Sequence, residues 1–114
     1  MSEPTLFEKI IAREIPGDFV YEDDLVVAFR DISPVAPTHI LIVPRKPIVS
    51  LQHTTEEDEP ILGRLLHVAR KLGEQEGLDG GFRCVINSGN EGGQVVPHLH
   101  VHLIGGQKLG EKIV

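Results

Sequence analysis

Three histidines at alternate positions are the residues of this sequence best placed to do chemistry. His98, His100 and His102 lie in the run PHLHVHLIGG and make up three of the chain's six histidines. Alternate side chains of a β-strand point to the same face, so we expect the three imidazoles to share one face while the apolar residues between them enter the core. Such a row could bind a metal, handle protons, or combine a nucleophile with two supporting groups.

A metal site fits this spacing poorly. Neighbouring histidines of a strand lie ~6.6 Å apart and the outer two ~13 Å, whereas zinc holds each histidine nitrogen at about 2.0 Å. The other available ligands, Asp31, His39, His53 and Cys84, have no recognisable metal-binding spacing. Surface decoration is the plainer alternative, but chance clustering of three histidines is improbable with only six in the chain. We predict neither a metal nor a cofactor.

Phosphoryl or nucleotidyl transfer is the chemistry that the row favours, because neutral imidazole is a good nucleophile toward phosphorus and titrates near neutrality. The glycine-rich run NSGNEGGQ, residues 87–94, immediately precedes the histidines. Glycines allow successive backbone N–H groups to converge on an anion. The run leads into a strand, so it is not a Walker-type loop, and by itself it is more often a hairpin turn. Beside a nucleophile it is a candidate cradle for phosphoryl oxygens.

Composition limits the class of protein. The chain has 114 residues and a formal charge of −6, which predicts a single domain over residues 1–114 and disfavours binding to nucleic acid. The single cysteine, Cys84, cannot form an internal disulfide and suits a reducing cytosol. The N-terminus lacks the pattern of a signal peptide, and no apolar run approaches the ~20 residues of a membrane span. We expect a cytoplasmic protein that does not bind membranes.

Two helices are predicted from apolar periodicity. The first is in TLFEKIIARE, where Thr5 and Glu8 could form a capping box. The second covers about residues 55–76, with Pro60 in its first turn. Its expected buried stripe has helical spacing and consists of Ile61, Leu62, Leu65, Leu66, Ala69 and Leu72.

Five strands are predicted around the long helix. FVYE and LVVAFRD form a hairpin, and THILIVP, FRCVINS and VPHLHVHLIGG are the remaining three. This order lacks regular βαβ alternation, which predicts an α+β domain with a mostly antiparallel sheet. We expect one sheet face to carry the helices and the other to need cover or a ligand. Because sheet edges are normally paired or covered, we also expect a twofold homodimer, in which the long helix and a neighbouring strand meet their copies.

Taken together, these segments resemble the histidine triad family. HLHVHLI fits the pattern His-x-His-x-His followed by apolar residues. The resemblance continues through NSGNEGGQVVPHLHVHLIGG, FRDISPVAPTHILIVPRK and LFEKIIAREIP, in this family's order and over nearly the whole chain. The chain is similar to the branch of histidine triad nucleotide-binding proteins that hydrolyse purine nucleoside phosphoramidates. The resemblance therefore implies a nucleotide substrate.

The resemblance implies catalytic roles for four histidines. His100 matches the nucleophile that carries the nucleoside monophosphate as a covalent intermediate. His98 and His102 match the flanking members, which orient it and handle protons. His39, in PTHIL, matches a fourth active-site histidine.

The resemblance also implies a nucleotide site. Asn87, Gly93 and Gln94 match the phosphate-side loop, and Asp31 matches an acid that accepts hydrogen bonds from the ribose hydroxyls. The residues that match the apolar base pocket are Phe7, Ile10, Phe29, Ile32 and Leu41. Without the resemblance, a loop cap would be favoured for Asp31, and ordinary core packing for the apolar residues.

One position departs from this pattern, and two other functions stay open. Several such relatives have a serine, which supplies a hydroxyl near the leaving group, where this chain has Val95. The C-terminal QKLGEKIV is also a weak match. The enzymatic alternative is a dinucleoside polyphosphate hydrolase or nucleotidyl transferase with the same triad. The other is a regulatory nucleotide-binding protein with weak catalysis, which the valine suggests.

Overall fold

One antiparallel five-stranded sheet organises residues 3–114, the part of the chain that this computed structural model describes. The strands are β1 (Phe19–Glu22), β2 (Val26–Arg30), β3 (Thr38–Pro44), β4 (Phe82–Val85) and β5 (Val101–Gly105), and the helices are α1 (Leu6–Ile11) and α2 (Glu59–Gln75). The strand order is β1-β2-β3-β5-β4. The predicted α+β class, with five strands and two helices, is confirmed. Within residues 3–114, no helix is both long enough and apolar enough to cross a membrane.

Helix α1 begins with the predicted capping box. The Thr5 hydroxyl accepts from the N–H of Glu8 at 3.1 Å, and the Glu8 carboxylate accepts from the N–H of Thr5 at 3.0 Å. The helix has six residues and buries Phe7 and Ile10. A helix this short is marginal in water, so it depends on its packing, to which a buried phenylalanine contributes about 1.5–3 kcal/mol.

Helix α2 begins at Glu59, after a short 3-10 turn over Glu56–Asp58. Its buried side is formed by Leu65, Val68, Ala69 and Leu72. The prediction that Leu66 belongs to the buried stripe is wrong, because the next residue along a helix is turned by about 100° from this row. Leu66 is exposed.

The two helices pack on opposite faces of the sheet, so the prediction that one face carries both is wrong. α2 packs on a core that contains Ile40 and Ile42 of β3, whereas α1 packs with Leu41 and Val43. Both faces of β3 are apolar and every residue of this strand is buried. A strand that is apolar on both faces needs cover on each side.

The histidine row enters β5 rather than lying wholly within it. The strand begins at Val101, later than predicted, because the N–H of His98 bonds back to Val96 O and that of Leu99 donates to Ile48 O instead of to a strand partner. The alternation nevertheless persists, since Leu99, Val101 and Leu103 all lie in the α2-side core. The histidines are therefore on the α1 side.

Candidate active site

A cavity of about 880 Å³ lies on the α1 side of the sheet. Most of the predicted site residues line it, and these are Phe7, Ile10, Phe29, Asp31, Ile32, Leu41, Asn87, Gly93, His100 and His102. Three predicted residues, His39, His98 and Gln94, are absent from the lining and act on it through neighbours.

His100 is held with one nitrogen anchored. Its Nδ1 lies 2.7 Å from the carbonyl oxygen of His98, and a carbonyl only accepts, so Nδ1 carries the proton. In the neutral ring, Nε2 then has a free lone pair. Burial lowers the pKa of His100, which keeps the ring neutral at physiological pH. The free lone pair on Nε2 is the chemical requirement for a nucleophile.

His98 supports this arrangement from within the protein. Its side chain is almost completely buried, and its Nε2 donates to the carbonyl oxygen of Pro44 at 2.8 Å. Nδ1 has no hydrogen-bond partner among the described residues. Burial lowers the pKa of His98. Its contribution to the site is the carbonyl that orients His100.

His39 and His102 are joined directly. The two rings share a hydrogen bond of 2.9 Å between Nε2 of His39 and Nδ1 of His102, and the main-chain N–H of Val35 donates to Nδ1 of His39 at 3.2 Å. Burial, together with the nearby His100 and His39, lowers the pKa of His102 to about 4. The rings of His102 and His100 are 5.0 Å apart between centroids.

Asp31 lies where the histidines meet the cavity. Its Oδ1 accepts from the N–H of Ser33 at 2.8 Å, and its Oδ2 is 3.6 Å from Nε2 of His39. Asp31, His39 and His102 offer three ligand atoms within 4.8 Å of one another, so this group could hold a metal ion. The spacing of residues along the sequence does not indicate this group, because its members lie in or directly after different strands. The pairing of neighbouring strands does indicate it, since Arg30 pairs with Ile40 and Leu41 pairs with His102.

The glycine-rich run forms a closed turn. The N–H groups of Gly92, Gly93 and Gln94 donate to carbonyl oxygens of Gly89 and Asn90. These three groups therefore do not point together at an anion, in contrast to the cradle expected from the sequence. The hydrogen bonds close the turn, in which Gly89 and Gly93 adopt positive φ angles of 75° and 80°. Asn87, which donates to Gly92 O at 2.8 Å, brings an amide to the cavity instead.

The side chain of Gln94 ties this turn to the body of the protein. Its amide nitrogen donates to Val49 O at 2.7 Å and to Val96 O at 2.9 Å, and its Oε1 accepts from the N–H of Gly89 at 2.9 Å. All of these partners are main-chain groups. Gln94 therefore positions the turn rather than facing the cavity.

Part of the cavity wall, beside His100, is apolar. Phe7 and Phe29 meet edge to face at 5.5 Å, and Phe7 lies 5.0 Å from the His100 ring. Ile32 is 96% exposed and stands at the rim. Val95, singled out in the sequence as the departure from the family pattern, also lines the cavity. Sequence reasoning missed several other lining residues, some of which the turn after α1 could have indicated: Leu6, Ile15, Pro16, Gly17, Asp18, Arg30 and Val96.

The sequence and the fold of this chain match known proteins. Residues 12–109 match the family model described as HIT domain, and the chain belongs to this family, which confirms the histidine triad resemblance. An Escherichia coli K12 protein named purine nucleoside phosphoramidase is 55% identical over 111 residues, 96% of this chain and 93% of its own. An Arabidopsis thaliana protein named adenylylsulfatase HINT1 is 53% identical over 108 residues, 93% of this chain and 74% of its own.

Solved structures agree with this assignment. The HIT family hydrolase from Clostridium thermocellum Cth-393 superimposes with a TM-score of 0.95 at 41% sequence identity, and the match covers 100% of both chains.

Proposed function

We propose that this chain hydrolyses the P–N bond of purine nucleoside 5′-phosphoramidates through a nucleotidyl intermediate on His100. The observation that carries the proposal is the anchored His100 ring, whose Nδ1 donates to His98 O at 2.7 Å and leaves Nε2 free beside the cavity. The name of the E. coli relative, purine nucleoside phosphoramidase, supports the substrate class. In the first step His100 attacks phosphorus and the amine departs, and in the second step water releases the nucleotide.

The lining of the cavity supports the recognition of a nucleotide. The apolar wall that Phe7 and Phe29 contribute can hold a purine ring by aromatic contact and burial. Oδ2 of Asp31 lies at the cavity and can accept hydrogen bonds from ribose hydroxyls. His102 lies beside His100, with ring centroids 5.0 Å apart, and Asn87 lines the same cavity, so both can contact a phosphoryl group bound at His100.

The proposed hydrolysis needs no metal, because His100 supplies the nucleophile and side-chain donors can stabilise the phosphoryl oxygens. Two of the three residues that could hold an ion, His39 and His102, are already hydrogen-bonded to each other. We propose a metal-free and cofactor-free enzyme. The charge of −6 also argues against a nucleic-acid partner, and the lone cysteine supports a cytoplasmic location.

A homodimer is the proposed assembly. β4 is an edge strand, Phe82 at its start and Ile86 immediately after it are exposed, and Leu66 of α2 is 55% exposed. α2 and β4 are adjacent, since the Phe82 ring packs against Gly73 of α2 so closely that a Cβ there would clash with it. Sedimentation at micromolar concentration should give a dimer, and Leu66→Lys should weaken it while Ile113→Lys, on the exposed C-terminal segment, should not. A wild-type monomer would contradict the proposal.

A turnover screen tests the function itself. Adenosine and guanosine phosphoramidates should be hydrolysed with a much higher kcat/KM than a diadenosine polyphosphate. Preference for the polyphosphate would favour the dinucleoside polyphosphate hydrolase. Tight AMP binding without turnover of any phosphoramidate would favour a regulatory nucleotide-binding protein.

A further inference from the structure

We propose that His102 acts as a permanently neutral hydrogen-bond donor to the phosphoryl oxygens, and that His39 positions it by fixing its tautomer. This inference rests on the proposed phosphoramidate hydrolysis. It gives His102 a role other than the proton transfer that the family resemblance implies for a flanking histidine.

The tautomer follows from a chain of hydrogen bonds that starts at a main-chain group. The N–H of Val35 can only donate, so Nδ1 of His39, at 3.2 Å, must accept and bears no proton. The proton of His39 is therefore on Nε2, and it is donated to Nδ1 of His102 at 2.9 Å. Because this nitrogen of His102 accepts, the ring carries its own proton on Nε2.

The same contacts oppose a second proton on His102. A proton on its Nδ1 would face the N–H of His39. Three titratable groups face His102. They are His39 from β3, His100 immediately before β5, and Asp31 from the loop after β2. Oδ2 of Asp31 is 3.6 Å from Nε2 of His39, where it attracts the proton already there.

The position of His102 suits a donor to the transferred group. His100 and His102 both line the cavity, with ring centroids 5.0 Å apart. A phosphorus atom within reach of Nε2 of His100 brings its non-bridging oxygens toward this second imidazole. A fixed N–H at that place stabilises the charge that builds on oxygen during attack, as oxyanion-hole donors do.

Water must then supply the proton of the amine. In the first step the bond from phosphorus to Nε2 of His100 forms, the P–N bond to the amine breaks, and the departing nitrogen takes a proton from water, which leaves hydroxide. In the second step the oxygen of hydroxide bonds to phosphorus, and the electron pair of the P–Nε2 bond returns to His100. His102 neither loses nor gains a proton in either step.

Nitrogen-15 NMR of the histidine rings tests the tautomers in the wild-type protein. With and without AMP, we expect both His39 and His102 to carry their ring proton on Nε2, and His102 to remain neutral between pH 5 and 8. His102→Gln and His39→Gln identify the signals by their loss. Titration of His102 in this range, or a proton on its Nδ1, would overturn the proposal.

Two leaving groups then distinguish a donor from an acid. His102→Ala should lower kcat by about 10²–10³-fold, the usual effect of removing one oxyanion donor, whereas His102→Gln, which keeps an N–H, should lose much less. Both effects should be equal for an alkyl phosphoramidate and for adenosine 5′-phosphorofluoridate, whose fluoride leaves without a proton. If His102→Gln lowers kcat for the alkyl phosphoramidate but not for the phosphorofluoridate, His102 acts as an acid and the proposal is wrong. Failure of the proposed function differs, since the folded wild-type enzyme would then hydrolyse no phosphoramidate.

Discussion

The carbonyl oxygen of His98 accepts a hydrogen bond from Nδ1 of His100 at 2.7 Å. This contact joins two members of the histidine row through the main chain. Because it holds the ring proton on Nδ1, Nε2 of the neutral His100 ring keeps a free lone pair. The nearly complete burial of His98 and its bond to Pro44 O hold that carbonyl in place. The reactivity proposed for His100 depends on this relationship.

Nucleoside recognition should depend on the charge of Asp31. Asp31→Asn keeps an oxygen for the N–H of Ser33 but loses the charge that strengthens hydrogen bonds to ribose hydroxyls, which are worth about 1.5–3 kcal/mol each. We expect kcat/KM to fall about 10–100-fold for a ribonucleoside phosphoramidate and much less for its 2′-deoxy analogue. Asp18→Asn is the matched control, because Asp18 lines the same cavity but is an exposed partner of Arg30. Equal losses for both sugars would count against this role.

Val95→Ser should raise turnover of substrates whose leaving amine needs a proton. Val95 lines the cavity and is 90% exposed, so the substitution should change stability by less than about 0.5 kcal/mol. A hydroxyl there can relay a proton from water to the amine, whereas valine cannot. Turnover of the phosphorofluoridate should stay unchanged. An unchanged rate with an alkyl amidate would show that the valine does not limit leaving-group departure.

The part of the site that sequence could predict is the part set by local alternation. Leu99, Val101 and Leu103 enter the core as expected, and this places the intervening histidines on the opposite side. The contact between His39 and His102 depends instead on strand register, which pairs Leu41 with His102. The face of the sheet on which α1 packs could not be predicted from the sequence either, because β2 and β3 are apolar on both faces.

The glycine-rich run illustrates another limit. Its composition predicts a turn, and a turn forms. Whether its N–H groups face a ligand or its own carbonyls depends on backbone angles that composition leaves open. The internal bonds of Gln94 could not be inferred either, because their acceptors include Val49, which is distant in sequence.

Acid should destabilise the protein through His102. The folded state lowers the pKa of this ring to about 4, against about 6.5 in an unfolded chain. The unfolded state therefore binds more protons between these values, so stability is fully present above about pH 6.5 and is lost as pH falls toward 4. We expect Tm to fall over this window and His102→Gln to reduce the fall. An equal pH dependence in the variant would contradict a lowered pKa at His102.

Turnover should not require a metal. We expect full phosphoramidate hydrolysis after exhaustive chelation, because the nucleophile and the donors are side chains of the protein. Added zinc should inhibit, since Asp31, His39 and His102 could bind it together. Activity that vanishes with the chelator and returns with zinc would overturn the metal-free mechanism.

Mass spectrometry of acid-free, base-quenched enzyme during turnover tests the central proposal most directly. A phosphorus–nitrogen bond to histidine is stable in base and labile in acid, so the adduct should survive this quench and disappear on acidification. We predict one nucleotidyl group on the peptide that contains HLHVH, located on His100 by fragmentation. His100→Asn, whose amide can still donate to His98 O, should fold and bind AMP but form no adduct and lose at least about 10⁴-fold in kcat. An adduct on His39 or His98, or near-normal turnover by His100→Asn, would show that His100 is not the nucleophile.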